Sequence, residues 1–396
     1  MNHLVLAVGT MFLQQTFVSY GRALPAIIAP AIILDLDLDP AWIGAYFGLS
    51  AFAAVVSNLG CGSLIVRHGA LRVSQMALVL LAVGTALLTL GTPLALVLSA
   101  IICGGGTSPS TPASSHLLAR CTAPKYLPLV FSIKQTSVPV GLLLAGILAP
   151  LLTELTGWRT TMLASAMACL IYALLLQPVR GQFDADREPM RSFRMSDFHS
   201  TLVSVIKAPD MRALSLACLA FNGVQATFTA YFVLYLTTIG YTPVAAGFVF
   251  SVAVAVAVPG RILWGWLGSV RVAPHQLLAG LAFTMTASVM LLALFVVGWP
   301  TLLVGLIACV LGATALSWHG VLLAEAANMA PERMRGSVTG GVLSFGQVGA
   351  SAFPLVYSAL LNGTGSYGFG FVVCGVPALL IGLQLLRKNR RPGNAV

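Results

Sequence analysis

Charged residues are almost absent from twelve long apolar stretches of this 396-residue chain, and this limits the folds that the chain can adopt. They make up only 8% of the sequence, against 58% hydrophobic residues, which is too little charge to cover a soluble surface. A membrane span needs about 20 apolar residues, and its backbone must form its hydrogen bonds within the segment. We therefore predict an all-α polytopic membrane protein with twelve transmembrane helices. The predicted spans are 5–33, 41–64, 74–91, 94–118, 128–152, 160–177, 213–238, 244–266, 276–297, 301–325, 336–360 and 367–386.

The net charge of +10 is distributed as in a membrane protein, not as in a nucleic-acid-binding one. With twelve spans and a cytoplasmic N-terminus, every Lys and Arg except Arg22 and Arg159 falls on a cytoplasmic loop or near a cytoplasmic helix end. Cytoplasmic loops of membrane proteins carry such an excess of basic residues. We therefore expect a multi-pass protein of the cell's inner (plasma) membrane, with both termini in the cytoplasm and no nucleic-acid partner.

The residues that could bind metals or do covalent chemistry show no recognisable spacing. The seven cysteines form no C-x-x-C pair, and the six histidines form no H-x-x-x-H pair. The glycine run 104–106 lacks the Gly-Lys-Ser ending of a phosphate-binding loop. We therefore expect neither a metal nor a cofactor, and we do not expect an enzyme.

A polar stretch at about 178–212 divides the spans six and six. Short sequences recur on both sides of it; for example, 62–64 reads Gly-Ser-Leu and 265–267 reads Gly-Trp-Leu. Such parallel repeats build one class of membrane transporter. The predicted domains are an N-terminal six-helix bundle at 1–177, a cytoplasmic linker at 178–212, and a C-terminal six-helix bundle with a short cytoplasmic tail at 213–396.

This organisation resembles the major facilitator superfamily, and the loop after span 2 extends the resemblance. The family sequence is approximately G-x-x-x-D-R-x-G-x-R. Here Gly62, Arg67 and Gly69 take its positions, Arg72 lies one residue beyond its last arginine, and Val66 stands at the position of the acid. The resemblance implies a gating role for these four residues. It also implies that the two bundles rock about a midplane site. The small residues would also simply allow close helix packing.

Arg22 lies well inside span 1, between Tyr20 and Pro25. The nearest acid along the chain is Asp35, about 20 Å away along a helix and far beyond the reach of a salt bridge. This segment resembles span 1 of the family's organic-anion transporters, which implies that Arg22 and Tyr20 contact the substrate. A guanidinium is a planar fork suited to a carboxylate. Bonding to helix carbonyls or to an interhelical network is the alternative.

Two further basic residues lie within apolar stretches. Arg261, between Gly260 and Gly265, resembles an element of the oxalate and monocarboxylate transporters in which an arginine meets the substrate carboxylate. A gating role near this helix end is the alternative. Lys134 lies about two turns into span 5, so we expect its side chain to extend to the cytoplasm. If it faces a cavity instead, it adds a second positive charge to the site.

Four polar residues complete the candidate site. Asn222 and Gln225 share one face of span 7, where they either bond the substrate or bridge helices. Histidine has an unperturbed pKa near neutral pH, so we expect His116, deep in span 4, and His319, deep in span 10, each to be either a proton carrier or a structural residue.

These residues favour a secondary transporter for a small organic anion, with a carboxylate as the expected cargo and protons as the candidate coupling ion. We expect a monomer in the lipid bilayer. The alternative is a multidrug or neutral-solute exporter of the same fold. Exporters of cationic drugs usually need a membrane-embedded acid, and none lies deep in spans 1 to 9.

Overall fold

A computed structural model describes residues 2–38, 41–190, 195–241, 243–295, 298–331 and 334–388. Residues 191–194 of the predicted linker lie outside the described residues. The described part of the chain is helical, with no strand. Its helices are α1 Asn2–Ile27, α2 Ala29–Leu36, α3 Ala41–His68, α4 Ala70–Leu88, α5 Pro93–Thr107, α6 Ser110–Cys121, α7 Leu127–Gln135, α8 Ser137–Thr156, α9 Trp158–Leu175, α10 Arg180–Phe183, α11 Met195–Lys207, α12 Pro209–Thr238, α13 Pro243–Val270, α14 Pro274–Leu292, α15 Thr301–Ala315, α16 His319–Met329, α17 Arg335–Thr364 and α18 Tyr367–Lys388.

Twelve helical stretches of the described residues are long and apolar enough to cross a membrane, which confirms the predicted all-α fold. These stretches are His3–Ile27, Tyr46–His68, Ala70–Leu88, Pro93–Cys121, Pro124–Thr156, Trp158–Leu175, Pro209–Phe232, Phe248–Val270, Pro274–Leu292, Thr301–Met329, Arg335–Thr364 and Tyr367–Arg387. We number them spans 1 to 12.

Spans 4, 5 and 10 each consist of two helices with a break between them. In span 4 the break falls at Pro109, which lacks the N–H that a continuous helix requires. In span 5 it falls at Thr136, three residues before Pro139, which cannot donate to the carbonyl of Gln135. In span 10 the chain turns over residues 316–318. The breaks free backbone groups within the membrane, where such groups are tolerated only beside protein or water.

The two sequence halves repeat the same helix lengths. Helices α3 and α13 have 28 residues each, α4 and α14 have 19 each, and α5 and α15 have 15 each. The break between α5 and α6 recurs between α15 and α16. These matches support the internal repeat predicted from the sequence.

The contacts divide the chain into two compact units. Unit 1 contains Met1–Pro124, Lys134–Ser204 and Ala327–Ser344, and unit 2 contains Lys125–Ile133, Val205–Ala326 and Phe345–Val396. Each unit therefore contains most of one predicted bundle and a short segment from the other. The predicted domain boundaries at 177 and 213 stay a prediction.

In unit 1, α1 packs mainly on α8, while α4 packs on α5 and α9 and α3 packs on α5. The end of α1 lies in a buried cluster that includes Leu24, Ile28, Leu88, Trp158 and Met162. This cluster fixes the part of α1 that carries Arg22.

In unit 2, α14 packs on α18 and α15, α13 packs on α15, and α12 packs on α18. An aromatic cluster joins α12, α17 and α18. Tyr231 stacks on Tyr357, and Tyr235 packs against Phe371. The Tyr235 hydroxyl also donates to the carbonyl of Leu292, at 3.0 Å. These contacts hold α12, the helix that carries Asn222 and Gln225.

Candidate substrate site

Arg22 is a half-buried cation in α1. Within the described part of the chain its guanidinium has no hydrogen bond and no ion pair. Its charge acts on the Tyr46 hydroxyl and the Cys103 thiol. Asp35, the nearest acid along the sequence, pairs with Arg159 at 2.7 Å instead. The nearest acid in the sequence therefore does not neutralise the charge of Arg22.

The surroundings of Arg22 are set by close packing of α3 on α5. A Cβ at Gly104 would overlap the backbone of Ser50, so only glycine permits this approach. It lets the Tyr46 hydroxyl meet Ser99 Oγ at 3.0 Å, one turn before Cys103. The sequence interpretation missed Tyr46, Ser99 and Cys103, because they lie 24 or more residues beyond Arg22. Their signal was a hydroxyl and a thiol one turn apart just before a glycine run.

Tyr20 lies on a different side of α1 from Arg22, because two residues of helix correspond to about 200° of rotation. Its hydroxyl accepts a hydrogen bond from Ser165 Oγ at 3.4 Å. Its ring lines an apolar groove of about 390 Å³, together with Leu144 and Leu148 of α8. The structure does not bring Tyr20 together with Arg22.

Lys134 is buried, with only 2% of its surface exposed. Its Nζ donates to Gln15 Oε1 at 3.1 Å and to Gln135 Oε1 at 3.0 Å. The expectation that this side chain extends to the cytoplasm is therefore wrong. Acceptors supplied by α1 and by the end of α7 hold the ammonium inside unit 1.

Gln15 connects Lys134 to the break in span 4. Its Oε1 accepts from Thr111 Oγ1 at 3.1 Å and from Ser110 Oγ at 3.4 Å, and Ser110 Oγ also donates to Gln14 Oε1 at 2.9 Å. The result is a buried polar network across α1, α6 and α7. The sequence interpretation missed Gln14 and Gln15, although two adjacent glutamines in an apolar span are a usable signal.

In unit 2, Arg261 lies at the break in span 10. It is 2% exposed, and its Nε donates to the carbonyl of Leu316 at 2.8 Å. Leu316 caps the C-terminus of α15, where a cation interacts favourably with the helix dipole. This contact gives Arg261 a structural role at the broken helix.

His319 begins α16 and stacks on Trp318, with ring centroids 3.7 Å apart. Trp318 is fully buried, and its ring meets Phe221 edge-on at 5.5 Å. The charge of Arg261 acts on His319. His319 Nδ1 and Trp318 Nε1 are buried, and neither has a hydrogen-bond partner in the part of the chain described.

Asn222 and Gln225 have different surroundings on α12. Gly346 of α17 approaches Asn222, since a Cβ there would lie 3.0 Å from Asn222 Nδ2. Gln225 Oε1 is buried, and among the described residues it has no hydrogen-bond partner. Gln225 lies one turn beyond Phe221, which contacts Trp318. Gln225 is therefore a further buried polar group of unit 2 without a hydrogen-bond partner among the described residues.

The four residues of the loop motif lie at the linker end of unit 1. A Cβ at Gly62 would overlap Ser337 of α17, and Gly69 has a left-handed φ of 93°. Arg72 donates through its backbone N–H to Asp184 Oδ2 at 3.0 Å, whereas the side chain of Arg67 is exposed. Arg67, Gly69 and Arg72 therefore lie at the junction of α3 and α4, whereas Gly62 lies within α3 against α17.

His116 lies in the last turns of α6, and its Nε2 is 2.7 Å from Asp186 Oδ2. It is therefore at the linker end of span 4, not deep within it. Among the described residues no three His, Cys, Asp or Glu side chains could hold a metal ion together.

The described residues form twelve spans, and each unit holds cationic and amide side chains in its interior. These features are typical of a membrane transporter. The sequence profile described as Major Facilitator Superfamily matches residues 11–354. The chain belongs to this superfamily. Its members are transporters, so the protein is a transporter and not an enzyme.

Solved structures share the fold at low identity. The E. coli fucose:proton symporter FucP superposes with a TM-score of 0.76 at 16% identity, over 98% of this chain and 100% of that one. The human organic anion transporter MFSD10 (TETRAN) superposes with a TM-score of 0.76 at 15% identity, over 96% of this chain and 99% of that one. A bacterial homologue of the iron transporter ferroportin superposes with a TM-score of 0.78 at 16% identity, over 97% of this chain and 100% of that one. No curated protein sequence matches the chain.

Proposed function

We propose that the protein is a secondary active transporter that moves a small organic anion across the membrane by alternating access, with a carboxylate as cargo. The observation that carries this is Arg22, a half-buried guanidinium with no hydrogen bond or ion pair in the described part of the chain. A cation in a membrane span costs about 2.5–3.5 kcal/mol on insertion scales, so such a residue usually has a functional partner. An anionic cargo is a partner of the required charge.

The immediate neighbours of Arg22 suit a carboxylate. A guanidinium offers two parallel N–H groups to the two carboxylate oxygens, and the Tyr46 hydroxyl adds a third hydrogen-bonding group. The neighbour MFSD10, described as an organic anion transporter, shares the fold. This description is consistent with the proposed cargo class.

The second candidate cargo is a neutral, hydroxyl-rich solute. The network of Gln14, Gln15 and Gln135 around Lys134 offers amides and hydroxyls of the type that bond such solutes. The structural neighbour FucP is described as a fucose:proton symporter. This candidate predicts binding that does not depend on the charge of Arg22.

The deciding experiment is ligand-dependent thermal stabilisation of the purified protein across a panel of organic acids and sugars. A ligand that binds only the folded state raises the unfolding temperature. We expect stabilisation by carboxylates in the wild type and its loss in Arg22→Ala. Arg159→Ala is the matched control, because Arg159 already pairs with Asp35. Stabilisation by sugars alone, unchanged in Arg22→Ala, would favour the neutral cargo.

For proton coupling we propose His319 or His116 as the carrier, since histidine is the side chain whose unperturbed pKa lies closest to neutral pH. His319 is the better candidate by geometry, because its Nδ1 has no partner among the described residues while His116 is paired with Asp186. Replacing each separately by Gln and measuring the pH profile of transport distinguishes them. An unchanged pH profile in both variants would mean that neither histidine carries the proton and that the pH dependence comes from ionisation of the cargo itself.

A further inference from the structure

The linker segment, residues 180–188, is bound to unit 1 through Asp184. Its Oδ1 accepts the backbone N–H of Leu71 at 2.7 Å, and its Oδ2 accepts that of Arg72 at 3.0 Å. These N–H groups belong to the first turn of α4, and N–H groups there have no partner within the helix. The N-cap is Gly69, which has no side chain to supply a cap. Asp184 therefore caps α4 from more than a hundred residues away.

Gly69 fits this arrangement in two ways. Its φ of 93° is one that residues with side chains rarely adopt, and a Cβ there would overlap the carboxylate of Asp184. The backbone N–H of Glu188 donates to the carbonyl of Val66 at 2.8 Å, which ties the far end of the segment to the last turn of α3.

Asp186 binds the end of a third helix. Its Oδ2 is 2.7 Å from His116 Nε2, and its Oδ1 forms an ion pair with Arg120, both on α6. Arg120 also donates to the carbonyl of Phe183 at 3.3 Å. Burial acts to raise the pKa of Asp186, but the hydrogen bond and charge of His116 and the charge of Arg120 outweigh it and lower that pKa. The carboxylate is thus held in its charged form.

The start of α17 rests on the helix ends that the linker segment fixes. Cys61 Sγ, on α3, lies 3.7 Å from the carbonyl of Gly336. Arg335 Nη1 donates to the carbonyl of Ala119, on α6, at 3.4 Å. A Cβ at Gly340 would lie 2.5 Å from Cys61 Sγ. Helix α17 belongs to unit 1 up to Ser344 and to unit 2 beyond it.

We propose that Asp184 and Asp186 are positioning residues of the transport cycle. By holding the ends of α3, α4 and α6 together, they form the surface on which the first part of α17 rests. They thereby set how readily that part of the helix separates from unit 1. This role belongs to the linker and does not depend on which cargo the protein carries.

The test is maleimide labelling of single native cysteines in the full chain, with the other six replaced. Cys61 is fully buried beneath the start of α17 in unit 1. Cys218 is the matched control, because it is also fully buried and lies under Gly346, in the part of α17 that belongs to unit 2. Asp35→Asn is the control variant, since it removes an ion pair from unit 1 without touching the linker segment.

We expect Asp186→Asn and Asp184→Ala to speed labelling of Cys61 by about fivefold, the factor that loss of one hydrogen bond gives. Labelling of Cys218 stays unchanged, and Asp35→Asn changes neither rate. Asp186→Glu restores slow labelling of Cys61. Equal acceleration at Cys61 and Cys218 would indicate general unfolding and overturn the proposal. An unchanged rate at Cys61 in both folded variants would overturn it as well.

Discussion

Arg261 Nε donates to the carbonyl of Leu316 at 2.8 Å, at the point where span 10 breaks into α15 and α16. The contact satisfies a carbonyl that the end of α15 leaves without a helical partner. It ties span 8 to the broken helix at Leu316, three residues before His319. Arg261 therefore differs from Arg22, which has no such contact in the described part of the chain.

The first prediction concerns this contact. Arg261→Met should lower the stability of the folded protein by about 1–3 kcal/mol, because it leaves a buried carbonyl unsatisfied. Thermal unfolding of the purified variant without ligand measures the loss. Arg271→Met, at the exposed position just after α13, is the control and should change stability little. A variant as stable as the wild type but unable to bind cargo would instead assign Arg261 to the substrate.

The second prediction concerns Lys134, whose Nζ is bonded to Gln15 and Gln135. Lys134→Met should destabilise the protein by about 1–3 kcal/mol, because each of two buried amide oxygens loses one hydrogen bond. Lys125→Met, on the exposed turn before α7, serves as the control. Denaturant or thermal unfolding gives both values. Equal stability of the two variants would mean that the network does not hold the lysine.

The spans were predictable because they depend on local sequence, and so was the absence of a partner for Arg22 along its own helix. Runs of apolar residues determine the spans, and the distance to Asp35 already excluded a partner along the helix. The position of Lys134 was not predictable, because its acceptor Gln15 lies 119 residues away in sequence. A long side chain near a helix end usually reaches water, and only the folded arrangement shows otherwise.

The same limit applies to the linker. Asp184 and Asp186 resemble ordinary charges of a polar loop, and the sequence gives no sign that they bond α4 and α6. Gly69 was the available signal, because a left-handed backbone conformation just before a helix often requires glycine. Gly69 was interpreted through the family motif alone.

The third prediction concerns topology. Met190 is 96% exposed near the end of the described linker, and Leu90 is 64% exposed in the turn between spans 3 and 4. In a chain without native cysteines, a membrane-impermeant maleimide should label Leu90→Cys in intact cells and Met190→Cys only after lysis. The positive-inside rule gives this direction. The opposite pattern would reverse the orientation.

The fourth prediction concerns pH. Because the pKa of Asp186 is lowered in the folded state, its ion pair contributes stability that is present above the ordinary value of 3.8 and is lost as pH falls through the lower folded value. The difference in unfolding temperature between wild type and Asp186→Asn should therefore persist from neutral pH down to about pH 4. It should shrink only below that. A difference that disappears between pH 7 and 5 would contradict the assignment to Asp186.

The last prediction concerns Arg22 and decides the cargo class. If the guanidinium grips a carboxylate through two hydrogen bonds, a lysine keeps the charge but cannot reproduce the fork. Arg22→Lys should then weaken carboxylate binding by about ten- to a hundredfold, the equivalent of one charge-assisted hydrogen bond of about 1.5–3 kcal/mol. Arg22→Ala should abolish detectable binding. Tyr46→Phe tests the neighbouring hydroxyl and should have a smaller effect, because it removes one neutral donor.

Binding has to be measured on purified, folded protein, because lost uptake alone does not separate a damaged site from a misfolded chain. Unfolding without ligand provides that check, and Arg159→Lys provides a matched change at an arginine that is already paired. Because Arg22 has no hydrogen bond within the described residues to lose, its replacement should leave ligand-free stability unchanged or raised. Wild-type affinity for the anion in a folded Arg22→Ala variant would remove Arg22 from the site, and with it the physical argument for an anionic cargo.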